Sequence, residues 1–469
     1  MKLHSLALLI FAAFASGAET RRPNIIFILS DDLAQGDIGC YGQKLIQTPN
    51  LDRMAKEGTR FTQGYCGTTV CAPSRTSLML GQHTGHSPVR ANREIKPEGQ
   101  LPLPAGTVTV AKILKDNGYA TACMGKWGMG MFDTTGSPLK NGFDHFFGYN
   151  CQRHAHSYFP TYLYRDDQRF ELPGNTGKGV GKTYAQELIQ QDVEGWVRAQ
   201  KDKPFFLYYA SHENHVPRVH NPRYAGKTPL GPRGDAVVAF DDQAGRILAE
   251  LDKHGLAENT LVIYSSDNGP VLDDGYKDKA VELNKQAGHT PAGPFRGGKY
   301  SILEGGTRVG FLARWPGHTP AGKVSDALMS QVDLPAVFTK VAGGDPADFL
   351  KLDSVDTSAA LTGGAGRETL ISSTQGNQLS IRDARWKFIS GVGAPGKGKK
   401  AQGPVVALLG SESEQANDSR DQAGPRLFDL QNDPGERVNV AKDHPEIVAR
   451  LKALLEAQRA KGVGQPLPK

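Results

Sequence analysis

The sequence predicts an α/β protein: a large, mostly parallel or mixed central sheet flanked by helices, followed by a smaller α+β subdomain. Three observations carry this expectation. Apolar runs recur that end abruptly in polar or small residues, helix-like stretches separate them, and the pattern changes after about residue 345.

The four runs are "PNIIFILSDD" (23–32), "GYATACMGKWG" (118–128), "KPFFLYYASHENH" (203–215) and "NTLVIYSSDNG" (259–269). Runs of this length without polar alternation suit strands buried on both faces, as in a parallel sheet. The stretch "VTVAKILKDNG" precedes the second run, "TYAQELIQQDVEGWVRAQ" the third, and "GDAVVAFDDQAGRILAELDKHG", ending on the C-cap-like Gly255, the fourth. Each has helical periodicity. In open α/β sheets ligands gather beyond the carboxyl ends of the strands. Asp31, Asp32, Lys126, His212, His215, Asp267 and Asn268 fall there, so residues spread over half the chain are predicted to converge on one edge.

After about residue 345, "NQLSIRDARWKFIS" and "RLFDLQNDPGERVNVA" read as short antiparallel strands, separated by a Gly- and Ser-rich loop from about 392 to 424. The closing "HPEIVARLKALLEAQRAKG" reads as an amphipathic helix. The expected division is a leader over 1–18, a main catalytic domain over 19–345 and a C-terminal subdomain over 346–469.

Composition narrows the class. A chain of 469 residues excludes a single small module, and 38% hydrophobic with 22% charged residues excludes collagen, mucin and extended disorder. The net charge of +6 is spread along the chain, and the basic cluster "GKGKK" (396–400) sits in a Gly-rich loop. This gives no argument for a nucleic-acid partner, though mild positive charge suits an anionic substrate. The N-terminal "MKLHSLALLIFAAFASGAET" has Lys2 in front, an apolar run at 6–14, and the small residues Ser16 and Ala18. It reads as a secretory signal peptide, being too short to span a bilayer, so export to the periplasm or medium is expected, with no membrane span elsewhere. Five cysteines, at 40, 66, 71, 123 and 151, are an odd number for an exported protein and lack the paired spacing of a zinc site. At least one is unpaired or modified; Cys71 is the choice.

Asp31 and Asp32 at one strand end, with Asp267 and Asn268 at another, offer three carboxylates and an amide oxygen. If those strands are neighbours, the set is a cage for a hard cation, Ca²⁺ or Mg²⁺ rather than zinc. In "TTVCAPSRTSLMLGQ" (68–82), Pro73 suits a helix's first turn, which puts Cys71 at a helix N-terminus where backbone N–H groups attract anions. Arg75 comes one helical turn later and is placed to orient what Cys71 carries.

The word Cys71-Ala72-Pro73-Ser74-Arg75 resembles the signature of the type I, formylglycine-dependent sulfatases. Other motifs follow that family in order from about residue 22 to 445: "PNIIFILSDDLAQGDIGCYG", "GKW", "SDNGP", "FRGGKYSILEGGTRVGFLARWPG" and "LFDLQNDPGERVNVA". The resemblance implies an alkaline-phosphatase-like sulfatase fold and a maturation enzyme that oxidises Cys71 to formylglycine. It implies a Ca²⁺ held by Asp31, Asp32, Asp267, Asn268 and the modified Cys71. Arg75 would steady the hydrated aldehyde, Lys126 and Lys299 would bind sulfate oxygens, and His215 would protonate the departing alcohol. The chemistry itself asks for these types: a nucleophile on a cation, positive charge over the sulfate oxygens and an acid for a poor leaving group.

One departure stands out. The family commonly has histidine two places after the lysine of Gly-Lys-Trp, and here that place is Gly128. His154 and His156, after the family-like "GFDHFFGY", are candidates for that contact or for substrate binding, and His212 is a further one. The implied substrate is a sulfate monoester, on sulfated carbohydrate or an aryl alcohol. The alternatives are a phosphatase, phosphodiesterase or phosphonate hydrolase of the same superfamily, which would use two zinc ions, and a catalytically degenerate binder of sulfated glycans. Substrate choice is expected to reside in loops 130–182, 216–234 and 271–298.

Overall fold

The unbroken run near the N-terminus becomes strand β1 (Asn24–Ser30), whose side chains alternate between two cores. Ile25, Phe27 and Leu29 join one apolar cluster, Ile26 and Ile28 the other, all fully buried. Side chains of this size contribute about 1.5–3 kcal/mol each when removed from water, so the strand gains most with both faces covered. The computed structural model describes residues 21–96, 98–200, 203–219, 221–272, 278–374, 378–391 and 424–461. The predicted leader at 1–18 and the basic cluster at 396–400 lie outside the described residues, as does most of the loop around that cluster.

β1 sits inside a ten-stranded mixed sheet. Its other members are β2 (Thr59–Tyr65), β3 (Ala120–Lys126), β4 (His145–Tyr149), β5 (Tyr162–Arg165), β6 (Gln168–Glu171), β7 (Phe205–Ala210), β8 (Thr260–Ser266), β9 (Phe311–Arg314) and β10 (Lys323–Ser330). The spatial order is β10-β2-β9-β8-β1-β7-β3-β4-β5-β6. The four strands expected from the apolar runs, β8, β1, β7 and β3, are consecutive neighbours and parallel. Ser30 pairs with Ser266, and Ala210 with both Leu29 and Gly125, so their carboxyl ends are level. The sheet is mixed because β9 enters antiparallel between β8 and β2, and the β5–β6 hairpin extends the other edge.

Helices Val110–Asp116 and Leu334–Val341 supply one core, and Ala185–Ala199 and Gly231–Lys253 the other. The helix Cys71–Leu80 differs from all of these, since every one of its residues is buried. No described helix is long and apolar enough to cross a membrane. None of the five cysteines forms a disulfide.

Beyond the main sheet, β11 (Leu370–Ser373), β12 (Leu379–Arg382), β13 (Trp386–Ile389) and β14 (Arg426–Asp429) form an antiparallel sheet. Leu451 and Leu455 of the helix Pro445–Lys461 pack onto it. A buried ion cluster ties this sheet to the loop after Lys299. Lys387 Nζ lies 3.0 Å from Glu304 Oε1 and 2.9 Å from Glu436 Oε1, and the Glu304 backbone N–H donates to Glu436.

Candidate active site

The parallel ladder carries its polar termini to one place. The Asp267 N–H donates to the Ser30 carbonyl (3.1 Å), the Asp31 N–H to Glu213 (3.0 Å) and the Asn214 N–H to Asp31 (3.1 Å). Asp31 and Asp32 are thereby held between the ends of β8 and β7. Asp32 has φ of 58°, a left-handed turn that aspartate tolerates better than bulkier residues. Cys71 is the first residue of its helix, and its Sγ lies 3.6 Å from Asp31 Oδ1. Lys126 closes β3, and Lys299 comes from the loop before Glu304.

These groups form one buried ionic cluster. Lys126 Nζ lies 2.7 Å from Asp31 Oδ2, and Lys299 Nζ 2.9 Å from Asp32 Oδ1. Arg75 donates from Nε and Nη2 to Asp267 Oδ2 at 2.9 and 2.7 Å, from Nη2 to Asp31 Oδ2 at 3.1 Å, and from Nη1 to the Lys126 carbonyl at 2.6 Å. Arg75 thereby braces the carboxylates of Asp31 and Asp267. Burial pushes the Asp31 carboxyl up, but Lys126, Arg75 and Lys299 outweigh it and hold the group at about 2. Burial, helped by Asp31 and Asp267, wins at Asp32 and raises it to about 6 despite Lys299. Burial, then Asp267 and Asp31, push the Cys71 thiol well above its ordinary value.

The donor set fits a hard cation. Ligand atoms of Asp31, Asp32, Cys71 and His215 lie within 4.8 Å of one another, and the Asp32 N–H points to Asp267 Oδ1 at 3.3 Å. Asn268 donates from Nδ2 to Asp32 Oδ1 at 2.7 Å, while its Oδ1 is buried without a hydrogen-bond partner. An orphaned amide oxygen among three carboxylates is an acceptor awaiting a cation. The carboxylates Asp31, Asp32 and Asp267 balance the cations Arg75, Lys126 and Lys299, so an added divalent ion makes the site attractive to anions.

His215 faces the same space. Its Nδ1 lies 2.6 Å from the Val216 carbonyl, so that nitrogen carries the proton, and Nε2 lies 3.2 Å from Lys299 Nζ. Burial, Lys126, Lys299 and His156 press its affinity for a second proton well down. The His156 ring stacks on that of His215 with centroids 4.8 Å apart. Burial and the two lysines lower His156 to about 4. An open cleft of about 370 Å³ runs out from here, lined by His156, His154, Arg153, Tyr162 and Thr161.

The model of the sulfatase family matches residues 23–344. The chain belongs to the sulfatase family. It is 33% identical to the N-acetylgalactosamine-6-O-sulfatase of Bacteroides thetaiotaomicron, over 95% of each chain. Human arylsulfatase A is 33% identical over 96% of this chain and 90% of its own length. A solved structure from Bacteroides thetaiotaomicron, described for the metabolism of multiple glycosaminoglycans, shares the fold with a TM-score of 0.79 and 31% identity, covering 94% of this chain and 100% of that one. The protein is thus a sulfatase, an enzyme that hydrolyses sulfate esters.

Within this sulfatase the remaining histidines separate. His156 reaches the cluster, whereas His154 packs among Tyr149, Tyr162 and Tyr164, 3.8 Å from Glu98, and lines the outer cleft. His212 is wedged between Tyr149 and Tyr158, with Nδ1 2.7 Å from Gln186 Oε1 and Nε2 3.4 Å from the Tyr149 hydroxyl. Both of its ring nitrogens are thus engaged within this aromatic packing. The sequence reading missed Asn92, whose Oδ1 accepts the Ala72 N–H at 2.9 Å and caps the helix of Cys71. It also missed Glu304 and Glu436, which brace the Lys299 loop. "LEGGT" and "DPGER" stood in recognised motifs, so a search for buried charge in them was the available signal; Asn92 left none.

Proposed function

We propose that this protein is an exported sulfatase that removes sulfate from sulfated carbohydrate through a formylglycine made from Cys71 and a bound Ca²⁺. The observation that carries the reading is Cys71 at the start of a buried helix, 3.6 Å from Asp31, inside a cluster of carboxylates and lysines. Calcium on Asp31, Asp32, Asp267 and Asn268 would supply Lewis acidity at a sulfate oxygen, and the hydrated aldehyde at position 71 the attacking hydroxyl.

The other residues prepare that step. Arg75 fixes Asp31 and Asp267 so that their free oxygens face one point. Lys126 and Lys299 pair with Asp31 and Asp32; were those carboxylates to hold a cation, the two ammonium groups would be available to the sulfate oxygens. His215, its tautomer set by the Val216 carbonyl, points Nε2 into the same space as Lys299, and the pair supplies the proton the departing alcohol needs. His156, on the cleft side of His215, contacts the alcohol portion. The apolar N-terminal run supports export, and a formylglycine-generating enzyme is the required maturation partner.

The relatives named N-acetylgalactosamine-6-sulfatases make a 6-O-sulfated amino sugar the first substrate to test. The experiment is sulfate release from a panel of sulfated mono- and oligosaccharides, an aryl sulfate and a phosphate monoester, using protein shown to carry the aldehyde. Turnover of a sulfated sugar is expected. Turnover of the phosphate ester alone, by protein containing two zinc ions, contradicts the proposal.

A further inference from the structure

Just past the end of β4, beside the Gly128 turn that follows Lys126, two buried carboxamides have amide atoms without hydrogen-bond partners among the described residues. Gln152 Nε2, and both Nδ2 and Oδ1 of Asn150, have none among the described residues, with the two residues 4% and 0% exposed. Buried amides left this way are rare in folded proteins, and one at the rim of a binding site is a group waiting for a ligand or water.

The position of Gln152 is set from two sides. The β3–β4 ladder continues past Lys126, with the Trp127 N–H donating to Tyr149 (2.9 Å) and the Gly128 N–H to Asn150 (3.2 Å). A Cβ at Gly128 would lie 2.1 Å from Gln152 Nε2, so the glutamine amide fills the space a side chain at 128 would take. Gly128 also has φ of +79°, which a residue with a side chain adopts only under strain. On the other side, the Gln152 N–H donates to Gln100 Oε1 (3.3 Å), and Gln100 Nε2 donates to the Arg93 carbonyl (3.1 Å). Asn92, next to Arg93, caps the helix that begins at Cys71. Gln152 is therefore held between the strand end of Lys126 and the helix of the nucleophile.

We infer that Gln152 is a substrate-contacting residue of this sulfatase, its Nε2–H donating to an anionic oxygen of the sulfate ester over Gly128. The inference rests on the proposed sulfate site. It explains the glycine: a polar group reaches the site from β4's end instead of from β3's.

The test is calorimetric titration of inorganic sulfate into the calcium-loaded full-length protein, with kcat and KM on a sulfate ester measured in parallel. Gln152→Ala is expected to weaken sulfate affinity about tenfold and raise KM by a similar factor. Gln152→Glu, close in volume but anionic, weakens both further, and it carries the test if the alanine variant does not fold. Gly128→His alone is expected to lower Tm, and Gly128→His combined with Gln152→Ala to recover part of that loss. Sulfate affinity and KM within twofold of wild type in Gln152→Ala overturn the inference. If the wild type binds sulfate yet hydrolyses no ester, the sulfatase mechanism fails while the titration still decides Gln152; if the wild type does not bind sulfate, the inference falls.

Discussion

Two buried ion clusters in this molecule use the same kinds of residue to opposite ends. Around Glu304, the ammonium of Lys387 and the guanidinium groups of Arg382 and Arg308 surround a carboxylate, with Tyr65 and Glu436 completing the set. Burial raises the Glu304 carboxyl, but these cations prevail and hold it at about 2. That cluster is a clamp between the small sheet and the Lys299 loop. Around Asp31 and Asp32 the charges also pair, yet Asn268 Oδ1 is orphaned and a cleft opens beside His156. A structural cluster spends its charges on itself, whereas a reactive one keeps acceptors that only a cation or substrate can use.

The comparison can be broken most severely at Cys71. Cys71→Ala is expected to abolish sulfate release, by at least about a thousandfold in kcat/KM, because it removes the proposed nucleophile placed against Asp31. Asp32→Asn comes next. It should lower activity by about a hundredfold or more and remove the rise in Tm on adding Ca²⁺, while changing the stability of the metal-free protein by only about 1 kcal/mol, since a carboxyl raised to about 6 is already costly to the fold as an anion and its loss offsets that of the Lys299 pairing. Glu304→Gln should do the reverse, costing about 3 kcal/mol in chemical denaturation because buried cations lose their partner, yet leaving the calcium response intact. Equal effects of the two variants on both readouts would erase the distinction between clamp and site.

The smallest effect concerns pH. Burial lowers His83 and His154 to about 4, and both lie outside the ionic cluster. A histidine depressed in the fold is neutral there while the unfolded chain takes up a proton below about 6.5, so stability is full above that value and falls as pH drops towards 4. The loss should approach about 1 kcal/mol per pH unit for each histidine, read as a declining denaturation midpoint between pH 6.5 and 4.5. Buried carboxyls raised to about 6, Asp241 and Asp333, oppose this fall, so the check is the difference from His83→Gln and His154→Gln variants; slopes equal to wild type would mean that neither ring is held neutral.

How much of this was legible in the sequence differs by element. β1, β3, β7 and β8 were readable because strands buried on both faces have no polar alternation, and their level ends brought Asp31, Asp32, Lys126, Asp267 and Asn268 together as expected. β2 with "TRFTQGY" and β6 with its exposed "QRFE" give no such signal, since their residues face the core only in part. The Cys71 helix was recognisable from Pro73 and the words around it. The sequence puts Arg75 one helical turn from Cys71, and the three-dimensional arrangement adds that its guanidinium spans two carboxylates over 230 residues apart. Among the histidines, the sequence could not separate His156 from His154, because which of them reaches His215 depends on a single short helical turn at His154–His156.

The central claim is that position 71 carries an aldehyde. The most direct measurement is the mass of the proteolytic peptide containing Cys71, from protein made in its native host, with hydroxylamine trapping. The account predicts a peptide lighter than the cysteine form and shifted by oxime formation. An unmodified thiol in most molecules of an active preparation would contradict it.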